Sequence, residues 1–245
     1  MMLLKHGHFI YPDPASLAVA TVCEFEKYVK KLLELKEYVN LALSGGTAAV
    51  DFYRAIASAD PPLDWNRIRF FWSDERCVPP NHPDSNYGKA YQSFLFPLNI
   101  SPSNIFRIRG EEEPEKEAVR YAGLIQRELD MGNGVPSFDW LLLGMGADGH
   151  TLSIFPDQIK LYRSPELCVV SILPGTDQKR ITFTGKLIKE AKRITFLVKG
   201  SDKCHTLKKV IFGKDTNNDY PASLINSEKG WIDWYLDKDA AGFIS

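Results

Sequence analysis

Asp148 and His150 lie in a turn opened by glycines, Gly144-Met145-Gly146-Ala147-Asp148-Gly149-His150, directly after the apolar run Phe138-Asp139-Trp140-Leu141-Leu142-Leu143. Histidine is the side chain best suited to exchange protons near neutral pH. A carboxylate two residues away can hold an imidazole in one orientation. The pattern suggests acid–base chemistry at a strand end, with His150 as general base. The plainer alternative is a partly buried ring that holds the loop together. Asp148 either orients the imidazole or accepts backbone N–H groups of the tight turn, and the sequence allows both.

A second candidate is Ser44-Gly45-Gly46-Thr47, between a buried strand and a helical pattern. Glycines let the backbone approach an anion closely, and the free N–H groups and dipole of a helix start favour negative charge. The guest would be a phosphate or carboxylate, although such turns also occur without any ligand. The segment is neither a Walker loop nor a G-x-G-x-x-G fingerprint. Arg76, Arg180 and Lys203 could join it, because each lies close to the end of an expected strand. Arginine suits bidentate phosphate contacts and lysine supplies a mobile point charge; for each alone, a solvated surface charge is the simpler reading. Asp74 could align substrate hydroxyls or cap the loop after it. His6-Gly7-His8 has no third ligand at a metal-binding spacing and reads as strand or surface. His205 falls in a helical pattern, and Trp231, Trp234 and Tyr235 read as packing residues.

These residues need a scaffold. Apolar positions recur with helical spacing at Leu17, Thr21, Phe25, Tyr28, Leu32, Leu35 and Val39. Strands are expected at 40–43, 68–72, 138–143, 167–173, 181–184, 193–198 and 222–225. Helices are expected after Thr47, at 86–95, from Pro114 to about Met131, at 186–191 and at 201–212, with an amphipathic tail from Trp231. Strands alternating with helices predict an α/β fold: a three-layer, doubly wound, mostly parallel sheet with helices on both faces, in one domain spanning 1–245. Right-handed crossovers then bring the loops after Leu43, Trp72 and Leu143 to one edge.

The 245 residues can bury a substantial core, and 44% hydrophobic with 25% charged residues is ordinary for a globular protein. A net charge of −1 gives no electrostatic case for nucleic acid or an anionic membrane. Four scattered cysteines without a C-x-x-C pair argue against a disulfide scaffold or zinc ribbon. The start Met1-Met2-Leu3-Leu4-Lys5 shows no leader pattern, and no apolar run has membrane-spanning length, so a reduced cytoplasmic setting is expected. No feature sets an oligomeric state.

Taken together, the motifs resemble the 6-phosphogluconolactonases of the glucosamine-6-phosphate isomerase/6-phosphogluconolactonase family over nearly the whole chain. The resemblance rests on Ser44–Thr47, Phe71-Trp72-Ser73-Asp74-Glu75-Arg76-Cys77-Val78-Pro79, His82-Pro83-Asp84-Ser85-Asn86-Tyr87, Leu143–Thr151 with Ile154-Phe155-Pro156, Arg180-Ile181-Thr182, and Val198-Lys199-Gly200 with Lys203. Where the family usually reads Ser-Thr-Pro after the two glycines, this chain has Thr47-Ala48-Ala49. Ala147 replaces a common proline, and the proline-rich stretch before Arg180 shrinks to Leu173-Pro174-Gly175-Thr176. The resemblance implies hydrolysis of a sugar-phosphate lactone of the pentose phosphate pathway, without metal or cofactor. Ser44, Gly45, Gly46, Thr47, Asp74, Arg76, Gly146, Arg180 and Lys203 would bind substrate, and backbone N–H groups near Gly146–Gly149 would stabilise the oxyanion. The deaminase/isomerase branch reads Asp-Glu-Tyr at Asp74–Arg76 and Asn-Glu-Pro where this chain has Ser153-Ile154-Phe155-Pro156, so it is disfavoured. A non-catalytic sugar-phosphate sensor is the other alternative, opposed by the intact Asp148 and His150.

Overall fold

The computed structural model describes residues 6–132, 134–213, 219–228 and 230–243; the segment 1–5, where no leader is expected, lies outside them. The chain begins with β1 (His6–Tyr11), α1 (Pro14–Leu33), β2 (Val39–Leu43) and α2 (Thr47–Ala59). It continues through β3 (Ile68–Trp72), β4 (Asp74–Arg76), α3 (Asn86–Ala90), β5 (Ile105–Phe106) and α4 (Pro114–Glu128). Next come β6 (Met131–Gly132), β7 (Val135–Pro136), β8 (Trp140–Leu143), β9 (Cys168–Ile172) and β10 (Lys179–Phe183). The last elements are α5 (Gly185–Ile188), β11 (Arg193–Val198), α6 (Cys204–Phe212) and β12 (Trp231–Asp237).

Seven strands form one sheet in the order β1-β12-β11-β8-β2-β3-β5, and every neighbouring pair is parallel. From β2 the chain builds outward to β3 and β5, then returns to lay β8, β11 and β12 on the other side of β2. The strand order therefore switches between β2 and β8, and ligands of open α/β sheets bind at the carboxyl ends of such a switch. Every residue of β2, β8 and β11 is buried, which is why those segments read as continuous runs instead of alternating ones.

The two faces divide the aromatic residues. Phe70 contacts Phe94 and Trp65, while the next residue, Phe71, stacks on Phe106 and meets Phe138, because successive strand side chains point to opposite faces. Phe25 of α1 and Phe52 of α2 meet each other, and Phe25 meets Trp140. On the Phe138 side lie Phe183 and Tyr121 of α4, whose hydroxyl donates to Trp72 O and accepts from Trp72 N. Full burial of each such ring stabilises the fold by roughly 1.5–3 kcal/mol.

A smaller antiparallel sheet, β4-β10-β9, stands at the carboxyl end of β3. The sequence marks β9 and β10 as strands but gives no sign of β4. Helix α1 starts where Asp13 accepts from Ser16 N (2.7 Å) with Pro14 next. It stops at Leu33, short of the expected pattern: Leu35 is 74% exposed and Val39 opens β2.

Four other expectations change. The segment at 86–95 is α3 followed by a π-helical turn at Tyr91–Leu95, and α4 ends at Glu128. The strand expected at 222–225 is a 3-10 turn, Pro221–Leu224, since a proline at its start supplies a helical φ and no ladder donor. The tail from Trp231, expected only to be amphipathic, is the strand β12 between β1 and β11. All four cysteines are free thiols, and among the described residues no helix is long and apolar enough to cross a membrane.

Candidate active site

Strand β2 delivers Ser44, Gly45 and Gly46 to the carboxyl edge. Gly46 takes φ 93°, a left-handed value suited to glycine, and α2 starts at Thr47 with no side chain capping it. The first amides of α2 therefore open toward the cleft. Ser44 is buried, and its carbonyl accepts from Tyr53 Oη (2.6 Å), fixing the turn to its own helix. A Cβ on Gly45 would meet Asn86 Oδ1 at 2.0 Å, so the close approach of these two loops needs a glycine there.

Past β3, the backbone of Ser73 donates to Leu43 O (2.8 Å), tying the ends of β3 and β2 together. Asp74 is buried and its Oδ2 accepts from Ser153 Oγ (2.7 Å). It does not cap the following loop. That role belongs to Glu75, which sequence reasoning did not single out: it accepts from the amides of Arg76, Asn86 and Tyr87 and from Ser85 Oγ at 2.7–3.2 Å. Burial pushes the Glu75 carboxyl above its usual range, against the lowering effect of those backbone donors.

Arg76 and Arg180 are direct partners across the β4/β10 ladder. Like charges at such positions repel, and neither guanidinium forms an ion pair with a carboxylate among the described residues. Arg76 is tied to the loop through Asp84 O (2.6 Å), and Arg180 reaches Gln178 Oε1 (3.3 Å), yet the Nε of each is buried without a partner. Burial, and then the charge of Arg76, hold the Arg180 guanidinium below its ordinary range. Two partly unsatisfied cations side by side make a place for an anion.

The Gly144–His150 turn is a tight knot. Gly146 N donates to His150 O (2.9 Å) and Gly149 N donates to Gly146 O (3.0 Å). These two amides are consumed inside the turn and are not free for an oxyanion, and the Asp148 amide serves its own carboxylate, contrary to the expectation for 146–149. Asp148 Oδ1 lies 2.6 Å from His150 Nδ1 and also accepts His150 N (3.1 Å), so it both orients the ring and holds the turn. Partial burial pushes the Asp148 carboxyl up, but the hydrogen bonds and charge of His150 outweigh it and hold it below its usual range. A carboxylate can only accept, so Nδ1 is the donor in this contact and Nε2 is the ring nitrogen left outside it. His150 also leans on Phe155, ring centroids 4.9 Å apart. Leu152 lies in the cleft wall with φ 59°, an unusual value for a branched residue and a cost of about 1–3 kcal/mol.

These loops meet in a cleft of about 260 Å³ at the β2/β8 switch, lined by Ser44, Gly45, Gly46, Thr47, Asp74, Arg76, Gly146, His150, Arg180 and Lys203. Asp148 stands behind His150. The expected residues thus converge, despite the shortened proline stretch before Arg180. Lys203 also binds Asp202 (2.9 Å). Lys199 lines the same cleft and was not among the expected site residues. Its signal was available: like Arg76, it stands just beyond a strand end.

Fold and site define an α/β protein in which a glycine turn and two arginines face a carboxylate-oriented imidazole at a topological switch. The chain belongs to the family described as glucosamine-6-phosphate isomerases/6-phosphogluconolactonase, whose pattern matches residues 12–234. It is 44% identical over 202 residues to a 6-phosphogluconolactonase of Treponema pallidum, covering 82% of each chain. With a 6-phosphogluconolactonase of Aggregatibacter actinomycetemcomitans it shares 41% over 212 residues, 85% of this chain and 88% of that one. A crystal structure of a devB protein superposes with a TM-score of 0.91 at 37% identity, over 98% of this chain and 100% of the other.

Proposed function

We propose that this protein hydrolyses 6-phospho-D-glucono-1,5-lactone to 6-phospho-D-gluconate, the lactone-opening step of the oxidative pentose phosphate pathway. The observation that carries the reading is the facing of a carboxylate-oriented imidazole and an anion cradle across one cleft. The names of the relatives point the same way.

In this scheme the Gly45–Thr47 turn, Arg76, Arg180 and Lys203 hold the phosphate and ring hydroxyls, and Asp74 aligns a hydroxyl from its place on Ser153. His150 Nε2 takes a proton from water as the water oxygen bonds to the C1 carbonyl carbon. The negative charge on the carbonyl oxygen is met by a backbone amide of the turn other than those of Gly146 and Gly149. Collapse breaks the bond from C1 to the ring oxygen, which takes the proton back from Nε2. Asp148 stabilises the imidazolium between the two transfers. General-base catalysis supplies about 10²–10⁴-fold, and one oxyanion donor roughly 3 kcal/mol. For a δ-lactone, already prone to hydrolysis, these suffice.

The deaminase reading needs an acid where its branch has Asn-Glu-Pro. Aligned on Pro156, that glutamate corresponds to Phe155, whose ring packs on His150 and lies 5.4 Å from the Arg180 guanidinium. A phenyl ring cannot transfer a proton. Acid release from the lactone, corrected for spontaneous opening, should exceed ammonia release from glucosamine 6-phosphate by orders of magnitude. Ammonia as the main product would reject the proposal, and binding without turnover would favour a sensor. His150→Ala should lower kcat by about 10²–10⁴-fold with KM little changed; near-normal turnover removes His150 as the base.

A further inference from the structure

We propose that Lys199 is the specificity-determining cation of this cleft, a direct phosphate-binding residue whose strength is set by Asp51. The inference rests on the lactonase reading and adds to it the residue that discriminates phosphorylated from plain lactone.

Lys199 is the first residue beyond β11, all six residues of which are buried, so its side chain emerges at the carboxyl rim. Strand β11 pairs with β8, which places Lys199 beside the Gly144–Gly146 end of the cleft that it lines. Its Nζ donates to Asp51 Oδ2 on α2, one turn past Thr47. The ammonium is thus fastened close to the open amides at the start of α2, where an anion would dock. Asp51 takes one of its three donors, and the others stay available. The side chains of Lys199 and Asp51 are 23% and 29% exposed, so neither charge is fully screened by water.

The bland account makes the pair a strut between α2 and β11. The two accounts differ in sign. A strut loses the same contact whichever partner is removed. In the proposed arrangement the partners oppose each other: the lysine attracts the phosphate, while the carboxylate both occupies the lysine and repels the phosphate. Among the described residues Asp74 is the only carboxylate lining the cleft, beside the cations Arg76, Arg180, Lys199 and Lys203, so Asp51 is a nearby brake on that positive field.

The test compares Lys199→Met and Asp51→Asn on the phosphorylated lactone and on unphosphorylated glucono-1,5-lactone, with inorganic phosphate titrated calorimetrically into each protein. Lys199→Met should raise KM for the phosphorylated lactone about tenfold, the worth of one hydrogen bond to a charged group. Asp51→Asn should lower it about twofold, the size of a partly screened charge repulsion. Phosphate affinity should follow the same opposite signs, and each variant should change kcat/KM for the plain lactone by less than for the phosphorylated one. Shifts of the same sign in both variants, or equal effects on both lactones, overturn the proposal and leave a strut. If the wild-type protein opens no phosphorylated lactone, the lactonase reading falls, and the phosphate titrations alone decide for or against Lys199.

Discussion

An imidazole whose Nδ1 is held 2.6 Å from a carboxylate has one nitrogen left for chemistry. The candidacy of that imidazole was legible in sequence, because a histidine in a glycine-rich turn at a strand end stands where an open sheet presents side chains to a ligand. The role of Asp148 was not: orienting the ring and bracing the turn demand the same residue at the same spacing, and the structure has it doing both. Asp148→Asn separates the roles. The amide keeps an oxygen to accept from His150 N but loses the charge that favours the imidazolium, so kcat should fall by about 10²-fold while Tm barely moves. A normal kcat leaves Asp148 only the turn. The depressed carboxyl sets the sign for stability as well: its contribution is complete above the ordinary aspartate range near ~3.9 and is lost as pH falls through the lower folded value.

At the level of elements, the site is two glycine turns set side by side, and equal substitutions in them should fail differently. A Cβ on Gly146 would meet His150 Nδ1 at 2.2 Å and Asp148 Oδ1 at 2.5 Å, so Gly146→Ala must displace the acid–base pair. A Cβ on Gly45 would instead strike Asn86 Oδ1 at 2.0 Å and push apart the walls of the anion cradle. Gly146→Ala is expected to act mainly on kcat and Gly45→Ala mainly on KM, each by about tenfold or more, as an ångström of misplacement typically costs. Steady-state kinetics of the two variants check this; a matching pattern in both would mean that the loops move as one unit. The ends of β2, β3 and β8 could be read because buried parallel strands are apolar runs that stop abruptly at Ser or Gly. Strand β4 could not, since it is a charged tripeptide, Asp74–Arg76, that becomes a strand only by pairing with β10. Lys199 was legible as the ends of β2, β3 and β8 were, one residue past the apolar run of β11, but Lys203 was taken in its place, and both line the cleft.

Across the whole molecule the sheet has two edges with different tasks. The sequence does not mark β12 as a strand because Asp233 and Asp237 break its apolar pattern; both are buried, Asp233 against the Arg193 guanidinium (2.7 Å) and Asp237 accepting from Gly200 N and Ala240 N. Tertiary partners, not local preference, make that segment a strand. A similar buried acid closes the edge opposite the cleft. Asp139, just ahead of β8, is fully buried and accepts from Lys36 Nζ at 2.7 Å, Lys192 Nζ at 2.9 Å and Asn40 N at 2.9 Å. It thereby ties the end of α1, the start of β2 and the approach to β11 into one block. Removing one side of such a group leaves the other charges and an amide uncompensated, at a cost of about 3 kcal/mol. For a chain of this size Asp139→Ala should then lower Tm by about 6–12 °C. The catalytic edge lies a full strand length away, so kcat and KM should match the wild type while the variant is folded. Urea titration and steady-state kinetics on one preparation test both halves. A loss below about 1 kcal/mol would mean that the lysines act only as surface partners. A changed KM would mean that strain at the amino edge is transmitted along β2 and β8 into the cradle.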